Sequence, residues 1–354
     1  MPAQRAPLPD GRWHFQHGPI DLVIGAEGDA LAVRAAHAAA WARFEPLLAE
    51  LVGELPELRA EVAEHCPLRG RLQGPLPGLN RAPIHGGCPC PLRGPVAQRM
   101  WRACWPHRHG FITPMAAVAG AVAEELIGCY ATDGIARAWV NNGGDIALHL
   151  APGRSVRVGL VADLARFDPA RGAPTLDAGF EVHADTPVRG IATSGWRGRS
   201  FSFGIADSVT VLARSASMAD AAATVIANAV NVDDPRIARR PANALKDDTD
   251  LGDRAVTVDV PRLEPALIDR ALHAGRQRAE ALRRAGLIDS ALLVCQHRVA
   301  RVARVEAARP RARRHELGCD DSREDNSENS RDISRENSRD FSCDISREPS
   351  GSPC

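Results

Sequence analysis

The chain is predicted to fold as an α+β protein, with a mixed or antiparallel sheet flanked by helices and a disordered tail behind it. Three observations point there. Residues 30–58 and 264–285 repeat apolar side chains near the 3.6-residue period of an amphipathic helix. Short β-branched runs bounded by Gly, Pro, Asn and Asp fill much of the space between them. From about Arg301 the apolar residues thin out, and serines recur at 330, 334, 338, 342, 346 and 350. That segment has too little apolar surface to offset the entropy of ordering it. The expected organisation is therefore a folded body over 1–300 and a tail over 301–354, basic at first and then rich in Ser, Arg and acids.

In chain order, residues 13–24 read as two strands broken at Gly18-Pro19, with His14 and His17 beside the break as packing or surface histidines. Leu31, Val33, Ala36, Ala40, Phe44, Leu47, Leu51 and Leu55 mark one face of the first helix, and Pro46 is expected to kink or break it. Residues 66–99 are rich in Gly and Pro and read as an irregular connector. Cys88 and Cys90, followed by Cys104, His107 and His109, form no second matched pair, so reduced thiols are favoured over a zinc site. Thr113-Pro114 opens a helix with Thr as the cap and Pro at its first position.

Residues 136–140 and 146–150 are strands joined by Asn141-Asn142-Gly143-Gly144-Asp145, a hairpin signal. The same two glycines would let backbone N–H groups approach a ring or a phosphate. Residues 156–161 and 180–183 are expected to continue the sheet. A hydroxyl-rich glycine loop follows at 190–195, then a strand at 207–213. Ser217 next reads as the cap of a helix, with Asp220 completing a capping-box-like pattern. Asp220, Thr224, Asn228 and Asn231 fall on one face of that helix. A polar stripe at a helix N-terminus beside a Gly/Thr/Ser loop suits a phosphate-bound Mg2+. Arg197 and Arg199 read either as phosphate ligands or as exposed loop arginines. Asp247, Asp248, Asp250 and Asp253 read as a solvated turn with some acids within reach of the cleft. Residues 290–299 read as a closing strand.

Bulk properties narrow the classes. The 354 residues are 44% hydrophobic, enough for a sizeable core, yet no run approaches the ~20 apolar residues of a membrane helix. Residues 1–11 lack an apolar centre, so a secretory signal is not expected and the cytoplasm is. Formal net charge is zero, which argues against bulk nucleic-acid binding. Lys246 is the one lysine and follows no glycine-rich loop, which removes a Walker-type site.

Thr193-Ser194-Gly195, Val209-Thr210-Val211 and Ala219-Asp220-Ala221-Ala222-Ala223-Thr224 resemble the last third of the FAD:protein FMN transferases of the ApbE type. Asn141-Asn-Gly-Gly-Asp-Ile146 is similar to a turn near the flavin in that family. The wider pattern over 13–299 resembles more closely a smaller, uncharacterised bacterial and archaeal family of the same superfamily. Its marks are His17-Gly-Pro-Ile-Asp-Leu22, Ile112-Thr-Pro-Met-Ala-Ala-Val-Ala-Gly120 and Asp250-Leu-Gly-Asp-Arg-Ala-Val-Thr-Val258.

The resemblance implies an ApbE-like fold and a site in which Asp220 and Thr224 hold Mg2+ on the pyrophosphate of FAD or a related nucleotide. It further implies that Asn142, Gly143, Gly144 and Asp145 lie near the ring or ribose, with Thr193, Ser194, Gly195 and Thr113 completing the cofactor-binding set. A protein substrate is the partner such a transferase needs, and a homo-oligomer is left open. Two departures favour an alternative, a binding protein for a flavin, nucleotide or sulfur-related ligand without transferase chemistry. Ala119 stands where the transferases carry a nucleotide-contacting Lys, and their His-x-x-Asp-Pro segment after Gly195 is missing. No general base stands out, with Asp145 and His183 the nearest candidates.

Overall fold

A computed structural model describes residues 2–63, 90–160 and 178–303, which form one unit. The sequence-predicted tail from residue 304, Cys88 and most of the 66–99 connector lie outside the described residues. Their main sheet has nine strands in the order β1-β2-β3-β4-β5-β8-β9-β12-β13. These are β1 (Gln4–Pro7), β2 (Trp13–His17), β3 (Ile20–Gly28), β4 (Ile135–Asn142), β5 (Asp145–Leu150), β8 (Gly190–Ser194), β9 (Ser208–Ala213), β12 (Ser290–Cys295) and β13 (Arg298–Val302). Every pairing is antiparallel, so the α+β reading holds and its sheet is antiparallel rather than mixed.

Six helices among the described residues complete the element list: α1 (Ala30–Gly53), α2 (Leu55–Leu58), α3 (Pro95–Cys104), α4 (Val118–Ile127), α5 (Ala216–Ala229) and α6 (Pro265–Arg284). Two core clusters lie on the helical side of the sheet. One joins α1, α3 and α4 to β2–β4 through Phe44, Leu47, Trp101, Leu126, Phe15, Leu22 and Val140. The other joins α5 and α6 to β9 and β12 through Ala222, Ile226, Leu272, Val211 and Leu293. The opposite face carries a smaller cluster. There Leu148 and Ile191 meet Val158 and Val182 of a separate ribbon, β6 (Ser155–Leu160) with β7 (Ala178–His183). A second ribbon pairs β10 (Ala238–Pro241) with β11 (Ala255–Asp259).

Several expectations change. Residues 156–161 and 180–183 form that separate ribbon instead of extending the main sheet. Residues 190–194 are a strand, not a loop, because Ile191 and Ala192 find apolar partners on opposite sheet faces. Pro46 sits inside an unbroken α1, where burial of Phe44, Leu47 and Leu51 outweighs the lost backbone hydrogen bond. The connector gives way to α3, whose buried Val96, Ala97, Met100, Trp101 and Cys104 keep helical spacing. The closing strand is a hairpin, turned at Gln296 and His297 with φ of 44° and 68°. Gln296 holds that unusual geometry by accepting from Leu263 N–H at 3.0 Å and donating to the Pro261 carbonyl at 2.7 Å.

Candidate functional site

The β4–β5 turn follows directly from its residues. Gly143 and Gly144 have φ of +64° and +111°, a region L side chains rarely adopt, and Gly144 N–H donates to Asn141 Oδ1 at 2.8 Å. The turn delivers Asn142 and Asp145, both buried, to the helical side of the sheet. Asn142 Nδ2 donates to the Ala119 carbonyl at 3.1 Å, and Asp145 Oδ1 accepts from Thr193 N–H at 3.1 Å.

Asp220 comes from the other direction. A close approach at Gly120 sets its place. A Cβ on Gly120 would stand 2.3 Å from the Ala216 carbonyl oxygen and 2.9 Å from Asp220 Cβ, so α4 and α5 touch backbone to backbone there. Gly120 N–H then donates to Asp220 Oδ2 at 2.9 Å. Burial pushes the Asp220 carboxyl up to about 7, against the opposing pull of the Gly120 and Ala119 N–H groups. Burial and the neighbouring Asp220 charge push Asp145 well above the usual carboxylate range. Among the described residues neither acid has an ion-pair partner, so the pair is short of positive charge.

Thr113 does not cap a helix through its side chain. It precedes a short 3-10 turn, Pro114–Ala117, and its buried hydroxyl donates to Asp250 instead. One member of the aspartate turn thus reaches the cleft side of the molecule. The Cys104 thiol donates to the Thr113 carbonyl at 3.3 Å, and burial, Asp220 and Asp250 all push its pKa up. Cys104 is a neutral packing thiol. Among the described residues no three His, Cys, Asp or Glu side chains gather around a metal position.

The remaining predicted residues divide. Thr193 pairs with Thr210 across β8 and β9, and their hydroxyls meet at 2.9 Å. Its side chain therefore alternates away from neighbouring Ala192, which packs on the helical side, and only its N–H serves Asp145. Ser194 takes the other alternation, and Gly195 is buried against the Asp207 carbonyl. Thr224 lies one turn beyond Asp220 on α5. Asn228 and Asn231, further along, are spent on structure: Asn228 Oδ1 accepts from Ser202 Oγ and Phe203 N–H, and Asn231 donates to the Phe203 carbonyl. His183 is exposed on β7 with Glu181 at 3.8 Å. His14 pairs with Asp21 at 2.9 Å, and the His17 ring meets the edge of Phe44. Arg197 pairs with Asp207 at 3.3 Å, whereas Arg199 reaches back over the glycine turn, its Nη1 3.2 Å from where a Gly143 Cβ would stand.

Ser217, the expected cap, is not the cap. Ser215 is, accepting from Met218 N–H. Glu124 of α4 takes Ser217, accepting from its hydroxyl at 2.6 Å and its N–H at 3.1 Å. Nothing local in the sequence links residues 93 positions apart. The same holds for Thr113 with Asp250, which are 137 apart.

The α+β body thus carries a glycine turn, a helix-borne Asp and a threonine one turn on. A family model described as AbpE bacteria matches residues 5–302, and the chain belongs to that family. It is similar to a UPF0280 protein of Methanopyrus kandleri, 42% identical over 166 residues that cover 46% of this chain and 61% of the relative. A UPF0280 protein of Methanoregula boonei is 36% identical over 176 residues, covering 48% of this chain and 70% of the relative. The chain thus spans about three fifths of the length of the first of these. The crystal structure of the apbe protein of Thermotoga maritima is similar with a TM-score of 0.36 at 12% identity, covering 84% of this chain and 96% of that one.

Proposed function

We propose that this protein binds a flavin or related nucleotide together with Mg2+, in the cleft where the β4–β5 turn meets the first turns of α4 and α5. One observation carries the reading: Asp145 and Asp220 converge without an ion-pair partner among the described residues, and burial raises both toward a state that holds a proton where a cation would serve. The donor set fits Mg2+, which takes one or two carboxylates and fills its remaining positions with water and substrate phosphate. Asp220 Oδ2 accepts one hydrogen bond from Gly120, which leaves lone pairs free on a carboxylate with about four acceptor sites. Asp220 and Thr224 would hold the ion, which supplies charge neutralisation to a pyrophosphate.

This chain's own residues do the rest. The absence of side chains at Gly143 and Gly144 leaves room for a flat ring or ribose against the turn. Arg199 beside that turn offers a guanidinium to a phosphate oxygen. The enzymatic form of this reading is transfer of FMN to a protein substrate, and Thr113, Ser194 and Gly195 line the same proposed set. A second reading, binding without transfer, is favoured by Ala119. Its carbonyl is tied to Asn142, and no lysine stands there to meet the nucleotide.

The test is titration of FAD fluorescence with and without Mg2+, on wild type, Asp220→Asn and Thr224→Val, alongside each melting temperature. The proposal expects Mg2+-dependent binding by wild type and loss of at least tenfold in affinity in both variants, with native-like melting. Asn keeps a hydrogen-bond acceptor for Gly120 but lacks the charge a cation needs. Wild type that binds no flavin or nucleotide with Mg2+ sinks the proposal. Binding without covalent flavin on any protein substrate selects the second reading.

A further inference from the structure

The polar stripe of α5 runs on past the two residues assigned to the cation. Thr224 and Asn228 on that face are half-buried, while Ala223, Ile226 and Ala227 beside them are buried in the core. At 1.5 Å per residue, Asn228 lies about 12 Å along the helix from Asp220. Asn228 Oδ1 accepts from Phe203 N–H at 2.9 Å, and Asn231 donates to the Phe203 carbonyl at 3.1 Å. Both ends of the Phe203 backbone are therefore pinned at the far end of the stripe.

Two further groups meet Phe203 there. Phe111 packs against it edge to face, with ring centroids 6.0 Å apart and planes at 62°. The Arg254 guanidinium lies 3.6 Å from the Phe111 ring centroid, and its ion pair with Glu61 is a loose one at 3.6 Å. Both rings are only half-buried and Arg254 is exposed, so ring and guanidinium surface stays open to a flat group. Asp250 stands between this surface and the cation end. The Thr113 hydroxyl donates to Asp250, and Thr113 follows Phe111 by two residues. On the other side, burial and then the charges of Asp220 and Asp250 push the Cys104 thiol up, so both carboxylates lie close to that thiol. The order along the cleft is a cation-holding pair, a carboxylate, and an aromatic and guanidinium surface.

We infer that this stripe seats a ribonucleoside diphosphate, with its phosphates on the cation at Asp220 and Thr224, its ribose hydroxyls donating to Asp250, and its base stacked on Phe203 and Arg254. The inference rests on the Mg2+ reading above and assigns the part of the ligand which that reading leaves open. Every base has a flat face, and aromatic rings and guanidinium planes both stack on it, so this surface holds a base without choosing among bases. A carboxylate oxygen accepts, so the group that meets Asp250 must donate, which a ribose does and a bare pyrophosphate does not.

The experiment is calorimetric titration of the full chain, with Mg2+ present, by ADP, 2′,3′-dideoxy-ADP and inorganic pyrophosphate. ADP is expected to bind roughly tenfold or more tighter than pyrophosphate, with the dideoxy compound between them. Phe203→Leu keeps the apolar volume and removes the ring; it should weaken ADP about tenfold and leave pyrophosphate unchanged, which also shows that the variant is folded. Phe203→Tyr keeps the ring and should bind ADP as wild type does. Asp250→Asn should weaken ADP and leave dideoxy-ADP unchanged. ADP that binds no tighter than pyrophosphate, or that is indifferent to Phe203→Leu, overturns the inference and leaves the Mg2+ reading standing. Equal losses of ADP and dideoxy-ADP in Asp250→Asn overturn the ribose contact. Wild type that binds none of the three with Mg2+ sinks the inference together with the reading it rests on.

Discussion

Two groups of acids sit at the helical side of this sheet, and the fold treats them in opposite ways. Glu125 of α4 accepts from Arg43 at 2.7 Å and Arg99 at 2.6 Å, and those hydrogen bonds and charges hold its carboxyl below the usual range despite burial. Among the described residues Asp145 and Asp220 have no such cations, and burial holds them above it. Both groups draw on α4: Glu125 stands on it, and its Gly120 donates to Asp220. The difference teaches that the missing charge at the aspartates is local to them, since arginines are plentiful a few turns away. A site that keeps two acids together without arginine is suited to a charge that arrives with a ligand.

The largest break in that comparison should come from Glu125→Ala. It leaves Arg43 and Arg99 with their shared acceptor gone, although Glu50 and Glu124 still pair with them, and a loss of about 2–3 kcal/mol is expected, below the value for fully buried pairs because the arginines are partly exposed. Asp145→Asn should do the reverse in metal-free protein at pH 8: no loss, or a gain of up to ~1 kcal/mol, because it removes a charge the fold does not compensate. Denaturant unfolding of both variants decides it. Equal losses would erase the distinction between the two groups.

The next effect is a slope in pH. A carboxyl whose folded pKa is raised binds its proton more tightly in the folded state, so its contribution is fully present below the unfolded pKa near 3.8 and is lost as pH rises through about 7. Glu125 has a lowered pKa, and its contribution is instead lost as pH falls below the ordinary value of 4.5. With chelator present, wild type relative to Asp220→Asn should lose on the order of 2 kcal/mol between pH 5 and pH 8. Parallel pH curves for the two proteins would mean that Asp220 titrates as an ordinary acid.

The difference between these groups is also where sequence reading stopped. Helices α1 and α6, the β2–β3 pair and the β4–β5 hairpin were legible because each rests on a local period or a local turn signal. The hairpin at Gln296-His297 was not, since no glycine marks it and its geometry is held by Gln296 reaching Pro261 and Leu263. The aspartate at 220 and the glycine turn were visible as motifs. Their charge state was not, because it depends on what fails to pack beside them. In the same way, nothing in the run around Glu124 and Glu125 distinguishes them from solvent-facing helix acids until Arg43 and Arg99 arrive from α1 and α3.

The smallest effect sharpens the comparison at the α5 N-terminus, where the neutralised group extends a contact into the helix that carries Asp220. Ser217 looks like the cap in sequence, yet Ser215 holds that role and Ser217 serves Glu124. The Ser215 cap is a long bond, 3.4 Å to Met218 N–H, whereas the Ser217 hydroxyl reaches a charged acceptor at 2.6 Å. Bonds to charged acceptors are the stronger class, so Ser217→Ala should cost about 1–2 kcal/mol and Ser215→Ala only ~0.5. Glu124→Gln keeps the shape and removes the charge. In that background Ser217→Ala should cost about half as much, because the hydroxyl then faces a neutral acceptor, while Ser215→Ala should be unchanged. A double-mutant cycle on thermal unfolding measures this directly. A Ser215→Ala loss larger than that of Ser217→Ala would restore the order the sequence suggested, and would detach the start of α5 from the ion-paired group altogether.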